Sequence, residues 1–179
     1  MKEIEVKARI GNEEELIRKI TSLGCVISEP MRQIDTVYSK IIGTVDEFLR
    51  NDHFLRIREK GDGRFIFTVK KPIANNLLTK SEHETEIKNA AEMEKAIFLM
   101  GYKVASRVVK VRRTSHLGEF EICIDDVDSL GSFIEIEKMS DQNVDLVRKE
   151  LDNQLALLGI PVENQIHKGY DILEIESRN

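Results

Sequence analysis

Acidic and basic side chains occupy alternate positions at the start of this sequence, MKEIEVKARI. Glu3, Glu5 and Lys7 alternate there with aliphatic residues. A β-strand points successive side chains to opposite faces, so a strand here has one charged face and one apolar face. Carboxylate oxygens bind hard divalent cations, and lysine and arginine bind phosphate oxygens. The residue types therefore indicate binding of a metal ion, of phosphate, or of both.

The same alternation recurs along most of the chain and gives two sets of candidate site residues. The acidic set comprises Glu3, Glu5, Asp125, Glu135 and Glu137, and the basic set comprises Lys7, Arg56, Arg58, Lys70, Lys110 and Arg112. A phosphate site lined by carboxylates repels its ligand unless a divalent cation lies between them. Mg²⁺ or Mn²⁺ accepts such oxygen ligands. The combination predicts a metal together with a polyphosphate.

Apolar periodicity predicts the elements that position these residues, and two helices have local start and stop signals, Asn12 with Gly24 and Asn89 with Gly101. Strands are predicted at 2–10, 32–39, 54–60, 64–71, 83–88, 104–114, 118–126 and 132–139, and helices at 12–23, 89–100 and 141–158. Hairpin turns are predicted at 61–63 and 116–118, because glycine accepts the backbone angles of tight turns. The stretch 73–82 shows no period and is predicted to be a loop, and 43–53 fits either a short helix or a loop.

Eight strands and three helices predict an α+β domain, and two arrangements of the strands are open. In the first, eight antiparallel strands form a closed β-barrel with helices packed outside on the apolar faces, so that the charged faces line a tunnel. In the second, an open sheet presents its charged faces to bulk water. Agreement of the pattern across nearly all the strands favours the barrel. We expect one domain spanning 1–179.

Composition narrows the classes of function. The net charge is −5 and the aromatic content is 6%, which argues against a nucleic-acid binder with phosphate contacts and stacking platforms. The two cysteines, Cys25 and Cys123, match no metal-ligand spacing and predict unpaired thiols in a reducing compartment. The sequence lacks a signal-peptide pattern and a long apolar run, so we expect a cytoplasmic protein that binds no membrane.

An ordered series of motifs resembles the CYTH superfamily of triphosphate tunnel metalloenzymes, which includes class IV adenylyl cyclases and thiamine triphosphatases. The motifs are Glu3-x-Glu5-x-Lys7, Gln33-Ile34-Asp35-Thr36, Leu55-Arg56-Ile57-Arg58, Thr68-Val69-Lys70-Lys71-Pro72, Glu84 with Glu86, Lys110-Val111-Arg112, Ile124-Asp125-Asp126-Val127, residues 130–137 (LGSFIEIE) and Tyr170-Asp171-Ile172-Leu173. The resemblance covers nearly the whole chain and implies an eight-stranded antiparallel tunnel with helices outside.

The resemblance also implies roles for the two sets. The acids would hold Mg²⁺ or Mn²⁺, with Asp125 assisting, and the basic residues would bind the triphosphate; Lys7, Arg58 and Lys70 would also take part in catalysis. The implied partner is a nucleoside triphosphate or inorganic triphosphate, and a homodimer is left open.

One position departs from the family pattern. In the thiamine triphosphatases that the chain resembles, the motif lysine pairs with a tyrosine at the position that is Val37 here. Tyr38 is the next residue, and adjacent residues of a strand point to opposite faces, so we expect Tyr38 to face away from the charged side chains.

The length of the chain and its LGSFIEIE segment resemble those of the class IV adenylyl cyclases, which convert ATP to cyclic AMP and pyrophosphate. An inorganic or organic triphosphatase and a non-catalytic polyphosphate-binding module are the alternatives.

Overall fold

The computed structural model describes the backbone of residues 2–73 and 76–178, and their side chains outside 72–80. The strands are β1 (Lys2–Arg9), β2 (Met31–Ser39), β3 (Phe54–Lys60), β4 (Phe65–Ile73), β5 (Asn76–Ile87), β6 (Lys103–Leu117), β7 (Phe120–Val127) and β8 (Gly131–Ser140). The helices are α1 (Glu13–Ser22), α2 (Val45–Phe48), α3 (Ala90–Leu99), α4 (Val144–Leu157) and α5 (Tyr170–Ser177), and a 3₁₀ turn covers Val162–Asn164. The predicted α+β class with eight antiparallel strands and helices around them is confirmed.

Local signals fix the helix ends as the sequence predicts. The Asn12 side chain accepts a hydrogen bond from the Glu15 backbone N–H at 3.1 Å and begins α1. Asn89 begins α3 in the same way, with the Glu92 N–H as donor. Gly24 follows α1 with a φ of +82°, a conformation that glycine adopts without strain. The three predicted helices therefore exist, each with somewhat shorter bounds.

The chain divides into two compact units. Unit 1 comprises residues 1–31 and 111–167, and within it β8 pairs with both β1 and β7 in an antiparallel sheet. The apolar side chains of this sheet face α1 and α4. They form a core whose buried members include Ile4, Val6, Ala8, Leu16, Ile20, Ile122, Ile124, Ile134, Ile136, Val147, Leu151 and Leu155. The apolar faces of these strands lie beneath helices, as predicted, and the charged faces point away from that core.

Unit 2 comprises residues 32–110 and 168–179, and its strands β2, β3, β4 and β5 pair in sequence order as an antiparallel meander. One face packs against α3 through a cluster that includes Tyr38, Leu55, Ile57, Ile97 and Tyr102. On the other face, α2 and α5 pack at one end through Val37, Phe48, Phe54, Ala105, Ile172 and Ile175. The rest of that second face carries the charged residues.

Several segments differ from the sequence prediction or go beyond it. The predicted turn at 116–118 is wrong for His116 and Leu117, which belong to β6, and the turn lies at 118–119. The predicted loop at 73–82 is wrong for Ile73 and for 76–82, which belong to β4 and β5, while 74–75 lie outside the described residues. Pairing with β4 extends β5 to Asn76 although its sequence lacks alternation. The ambiguous stretch 43–53 contains α2, which begins at a complete capping box of Thr44 and Glu47. Helix α5 was not predicted.

Across the described part of the chain, no helix combines the length and the apolar character that a membrane crossing needs.

Candidate functional site

Strand register brings the predicted acidic residues of unit 1 onto one face. Lys7 on β1 lies opposite Glu135 on β8, and Glu5 lies opposite Glu137. On the other side of β8, Cys123 lies opposite Glu135 and Glu121 lies opposite Glu137. Because directly opposed residues of an antiparallel pair share a face, these side chains form two adjacent rows across three strands.

Lys7 lies among the carboxylates of this face. Its Nζ is 3.0 Å from Glu135 Oε1 and 3.4 Å from Glu5 Oε1, and only 2% of the residue is exposed. Glu5 is itself 8% exposed, and its Oε1 accepts no hydrogen bond although it is in ion-pair range of Lys7. A buried carboxylate oxygen without a donor is costly, so this position suits a ligand that supplies positive charge.

The pKa of Glu137 reflects the same excess of negative charge. Burial, followed by the charges of Glu3 and Glu135, raises the pKa of Glu137 from its ordinary 4.5 to about 8. A carboxylate whose neighbours disfavour its ionisation releases its proton when a cation arrives. Glu3, Glu5, Glu135 and Glu137 therefore fit a divalent cation in donor chemistry as well as in charge.

Asp125 differs from the other predicted acids. The Arg112 side chain donates to Asp125 through Nε at 2.6 Å and Nη2 at 2.5 Å, and Nη2 also donates to Glu135. Burial lowers the pKa of Arg112, but the charges of Glu135 and Asp125 raise it well above its ordinary value. Arg112, predicted for phosphate, and Asp125, predicted to assist the metal, thus contact each other, and Arg112 bridges Asp125 to Glu135.

Cys123 also lies on the charged face, because it alternates along β7 with Ile122 and Ile124 of the core. Its Sγ is 3.3 Å from Glu137 Oε1 and 4.0 Å from Glu121 Oε1, and the residue has no exposed surface. Burial raises the pKa of the Cys123 thiol far above its ordinary value. The thiol is therefore protonated at neutral pH when no cation is bound.

Unit 2 holds four of the predicted basic residues, and two of them are the arginines of β3. Arg58 donates to both carboxylate oxygens of Asp35, through Nε at 2.6 Å and Nη2 at 2.7 Å. Arg56 Nη2 donates to Glu84 Oε1 at 2.7 Å and to Thr68 Oγ1 at 3.1 Å. These contacts fix the direction of both guanidinium groups.

Charge compensation in unit 2 is the reverse of that in unit 1. Burial raises the pKa of Asp35, but the charges of Arg58 and Arg56 outweigh burial and hold it well below its ordinary range. Arg56 is 7% exposed, and its buried Nε donates no hydrogen bond. A buried donor without an acceptor suits an anionic ligand, as the Glu5 oxygen that accepts no hydrogen bond suits a cation.

The two lysines of unit 2 are also held by neighbours. Lys70 Nζ forms a salt bridge with Glu82, and both side chains are about nine-tenths buried. Lys110 Nζ lies 5.0 Å from the ring centroid of Tyr170, at the start of α5, and is 1% exposed. The predicted basic set is therefore distributed, with Lys7 and Arg112 among the acids of unit 1 and the other four in unit 2.

Sequence reasoning gave no role to several residues that orient these groups. Asp35 lies in a quoted motif, yet its pairing with Arg58 spans 23 positions and depends on the β2–β3 register. Glu82 lies in the segment predicted to be a loop. The prediction that Tyr38 faces away from the charged residues is confirmed, because its hydroxyl donates to Glu94 of α3 at 2.7 Å.

Comparison with known proteins identifies the family. The family model described as "CYTH domain" matches residues 1–170. The chain belongs to the CYTH family. A curated relative from Methanocaldococcus jannaschii, named "Putative adenylate cyclase MJ0240", is 32% identical over 173 residues, which are 95% of this chain and 97% of the relative.

Solved structures of similar proteins share the fold over nearly the whole CYTH chain. The PH1012 protein of Pyrococcus horikoshii OT3 is 26% identical with a TM-score of 0.82, covering 94% of this chain and 97% of its own. A structure from Vibrio parahaemolyticus, titled as a putative adenylate cyclase, is 25% identical with a TM-score of 0.80, covering 99% and 98%. The implied α+β architecture is therefore that of the family.

Proposed function

We propose that this CYTH protein is a divalent-metal-dependent enzyme that acts on a triphosphate, as an adenylyl cyclase converting ATP to cyclic AMP and pyrophosphate. The observation that carries the proposal is the acidic face of unit 1, where the carboxylates outnumber their cationic partners Lys7 and Arg112. There, Glu5 Oε1 is buried without a donor and the pKa of Glu137 is raised to about 8. A purely anion-binding module gains nothing from such a face unless a cation compensates it.

Glu3, Glu5, Glu135 and Glu137 would hold Mg²⁺ or Mn²⁺. Such a cation, when bound, neutralises phosphate charge and polarises phosphoryl oxygens. Asp125 would assist metal binding indirectly. It binds Arg112, which also contacts the metal-site residue Glu135. Lys7 sets the positions of Glu5 and Glu135 through its ion pairs.

Arg56, Arg58, Lys70 and Lys110 would bind the phosphate groups of the substrate. Phosphoryl and nucleotidyl transfer depend on positioning and on stabilisation of charge that develops on phosphate oxygens. Guanidinium groups serve this purpose well when they are fixed, and Asp35 and Glu84 fix both arginines here. The buried Nε of Arg56 supplies a hydrogen-bond donor that the protein itself leaves without an acceptor.

In the cyclase reaction the ribose 3′-hydroxyl attacks the α-phosphorus and pyrophosphate leaves. The names of the M. jannaschii relative and of the V. parahaemolyticus structure support this choice. Val37 and Tyr38 argue against a lysine–tyrosine pair of the thiamine triphosphatase type. Val37 packs among apolar residues with Ile172, and the Tyr38 hydroxyl is engaged with Glu94.

Product analysis by phosphorus NMR tests the proposal. The purified protein is incubated with ATP and, separately, with inorganic triphosphate, each with Mg²⁺ or Mn²⁺ and with EDTA as the metal-free control. We expect cyclic AMP and pyrophosphate from ATP, only with metal. Orthophosphate as the first product would replace the cyclase with a triphosphatase, and tight triphosphate binding without turnover would leave a binding module.

A further inference from the structure

A thiol lies among the carboxylates of unit 1. One ligand atom from each of Glu121, Cys123 and Glu137 can be chosen so that all three lie within 4.8 Å of one another. Cys123 is fully buried, yet its Sγ faces carboxylate oxygens on the charged side of the sheet and not the aliphatic core beneath it. A cysteine that serves only as a small apolar residue has no need of such neighbours.

A second observation at the same place points to a cation. Glu5 lies directly opposite Glu137 in the β1–β8 register and is more than nine-tenths buried. Its Oε1 accepts no hydrogen bond, and among the described residues its nearest cationic atom is Lys7 Nζ at 3.4 Å. The row from Glu5 through Glu137 to Glu121 is thus an excess of acceptors, with the sulfur of Cys123 adjoining it.

We propose that Glu121, Cys123 and Glu137 form a mixed thiolate and carboxylate site that takes a thiophilic divalent cation such as Zn²⁺. Sulfur ligands favour zinc and its neighbours in the transition series, whereas Mg²⁺ prefers oxygen ligands alone. Binding forms a metal–sulfur bond and breaks the S–H bond of Cys123, and the proton passes to solvent.

The consequence for the proposed function is competition at one residue. Glu137 is a ligand in both sites, so a thiophilic cation excludes the Mg²⁺ or Mn²⁺ of the enzyme and inhibits it. This regulatory consequence rests on the proposed function. The existence of the site does not, because it follows from the contacts of Cys123 with Glu121 and Glu137.

Co²⁺ serves as a spectroscopic substitute for Zn²⁺ in the test. A cobalt–thiolate bond gives a charge-transfer absorption in the near ultraviolet that carboxylates do not produce. The full-length protein is titrated with Co²⁺ without nucleotide, beside Cys123→Ser and the matched control Cys25→Ser, which removes the only other thiol. We expect the band in the wild type and in Cys25→Ser, its loss in Cys123→Ser, and its reversal by excess Mg²⁺.

X-ray absorption at the zinc edge of Zn²⁺-loaded Cys25→Ser protein covers the case in which Cys123→Ser fails to fold. Only Cys123 can then supply a thiolate ligand, whose sulfur is expected at about 2.3 Å from zinc. A band that persists in Cys123→Ser, or a zinc shell of oxygen and nitrogen alone, overturns the inference. The outcome is separable from that of the proposed function, because neither measurement requires turnover of a triphosphate.

Discussion

The charged faces of the two units have opposite imbalances of charge. In unit 1 the carboxylates around Lys7 outnumber their cationic partners, and the pKa of Glu137 is raised to about 8. In unit 2 the carboxylate of Asp35 lies against two arginines, and its pKa is held well below its ordinary range. Similar burial therefore gives opposite protonation, and the difference indicates which face needs an added cation and which presents fixed positive charge.

Removal of one acid from unit 1 tests this contrast most strongly. Glu5→Gln removes a carboxylate charge from a position where Oε1 accepts no hydrogen bond. We expect metal-dependent turnover to fall by at least about 10²–10³-fold, the loss that follows removal of one group that stabilises transition-state charge. Steady-state kinetics with varied Mn²⁺ measures the loss.

The fold of this variant should be nearly intact, with a free energy of unfolding within about 1 kcal/mol of the wild type. Glu14→Gln, on the exposed side of α1 in the same unit, is the matched control and should leave turnover unchanged. A collapse of stability in Glu5→Gln, with turnover retained in the folded fraction, would make the acidic face structural.

Removal of one cation from unit 2 should act on stability. Arg58→Ala leaves Asp35, which is 7% exposed, without its two-pronged partner. Breaking a buried pair in this way costs about 3–5 kcal/mol, which urea denaturation measures. Arg58→Ala should also weaken triphosphate binding more than monophosphate binding, and equal losses would count against a triphosphate clamp.

The matched control for Arg58→Ala is Arg64→Ala. Arg64 donates to Asp62 through the same two nitrogens, Nε and Nη2, but that pair is on the surface. Exposed pairs contribute about 0–1 kcal/mol, so the control should lose little. Comparable losses in the two variants would show that the buried Asp35–Arg58 pair contributes no more to stability than a surface pair.

The pH dependence of metal-free stability should separate the two faces. A raised pKa means that the folded state binds a proton that the unfolded state has lost, so Glu137 makes stability fall as pH rises between about 4.5 and 8. The slope approaches about 1.4 kcal/mol per pH unit at most. Asp35 has a lowered pKa, so its contribution is lost as pH falls below its ordinary range.

Thermal denaturation in EDTA across this pH series is the measurement. Glu137→Gln should flatten the decline above pH 4.5 while leaving the acid limb that Asp35 produces. A curve of unchanged slope in Glu137→Gln would assign the decline to other groups.

The smallest effect is expected outside both charged faces. Tyr38→Phe removes the hydroxyl that donates to Glu94 and should cost about 1–2 kcal/mol of stability. Turnover per folded molecule should not change, since the hydroxyl faces α3. A loss of turnover beyond the loss of folded protein would return Tyr38 to the catalytic candidates.

Most of what could be predicted from the sequence, the strands and their charged faces, followed from the alternation of side chains. It placed Glu3, Glu5 and Lys7 on the face opposite Ile4 and Val6, because a strand with a buried side leaves only one register for its apolar residues. Asparagine caps and following glycines located α1 and α3 for equally local reasons. These features depend on neighbours a few positions apart, which the sequence shows directly.

The features that escaped prediction depend on distant partners. Helix α5 has only eight residues and no side-chain N-cap, so it carries neither a long periodic pattern nor a start signal. The first half of β5 lacks alternation and is ordered by pairing with β4. The pairs Asp35–Arg58 and Arg112–Asp125 each require a strand register that only the folded chain sets.

Calorimetric titration of the purified protein with Mn²⁺ tests the central claim, that the acidic face of unit 1 holds a divalent cation. At about pH 7, in two buffers of different ionisation enthalpy, we expect binding with net proton release, because the cation displaces the proton that Glu137 holds below its pKa of about 8. Glu5→Gln should abolish this binding. Absence of Mn²⁺ binding in the wild type, or equally tight binding in Glu5→Gln, would contradict the claim.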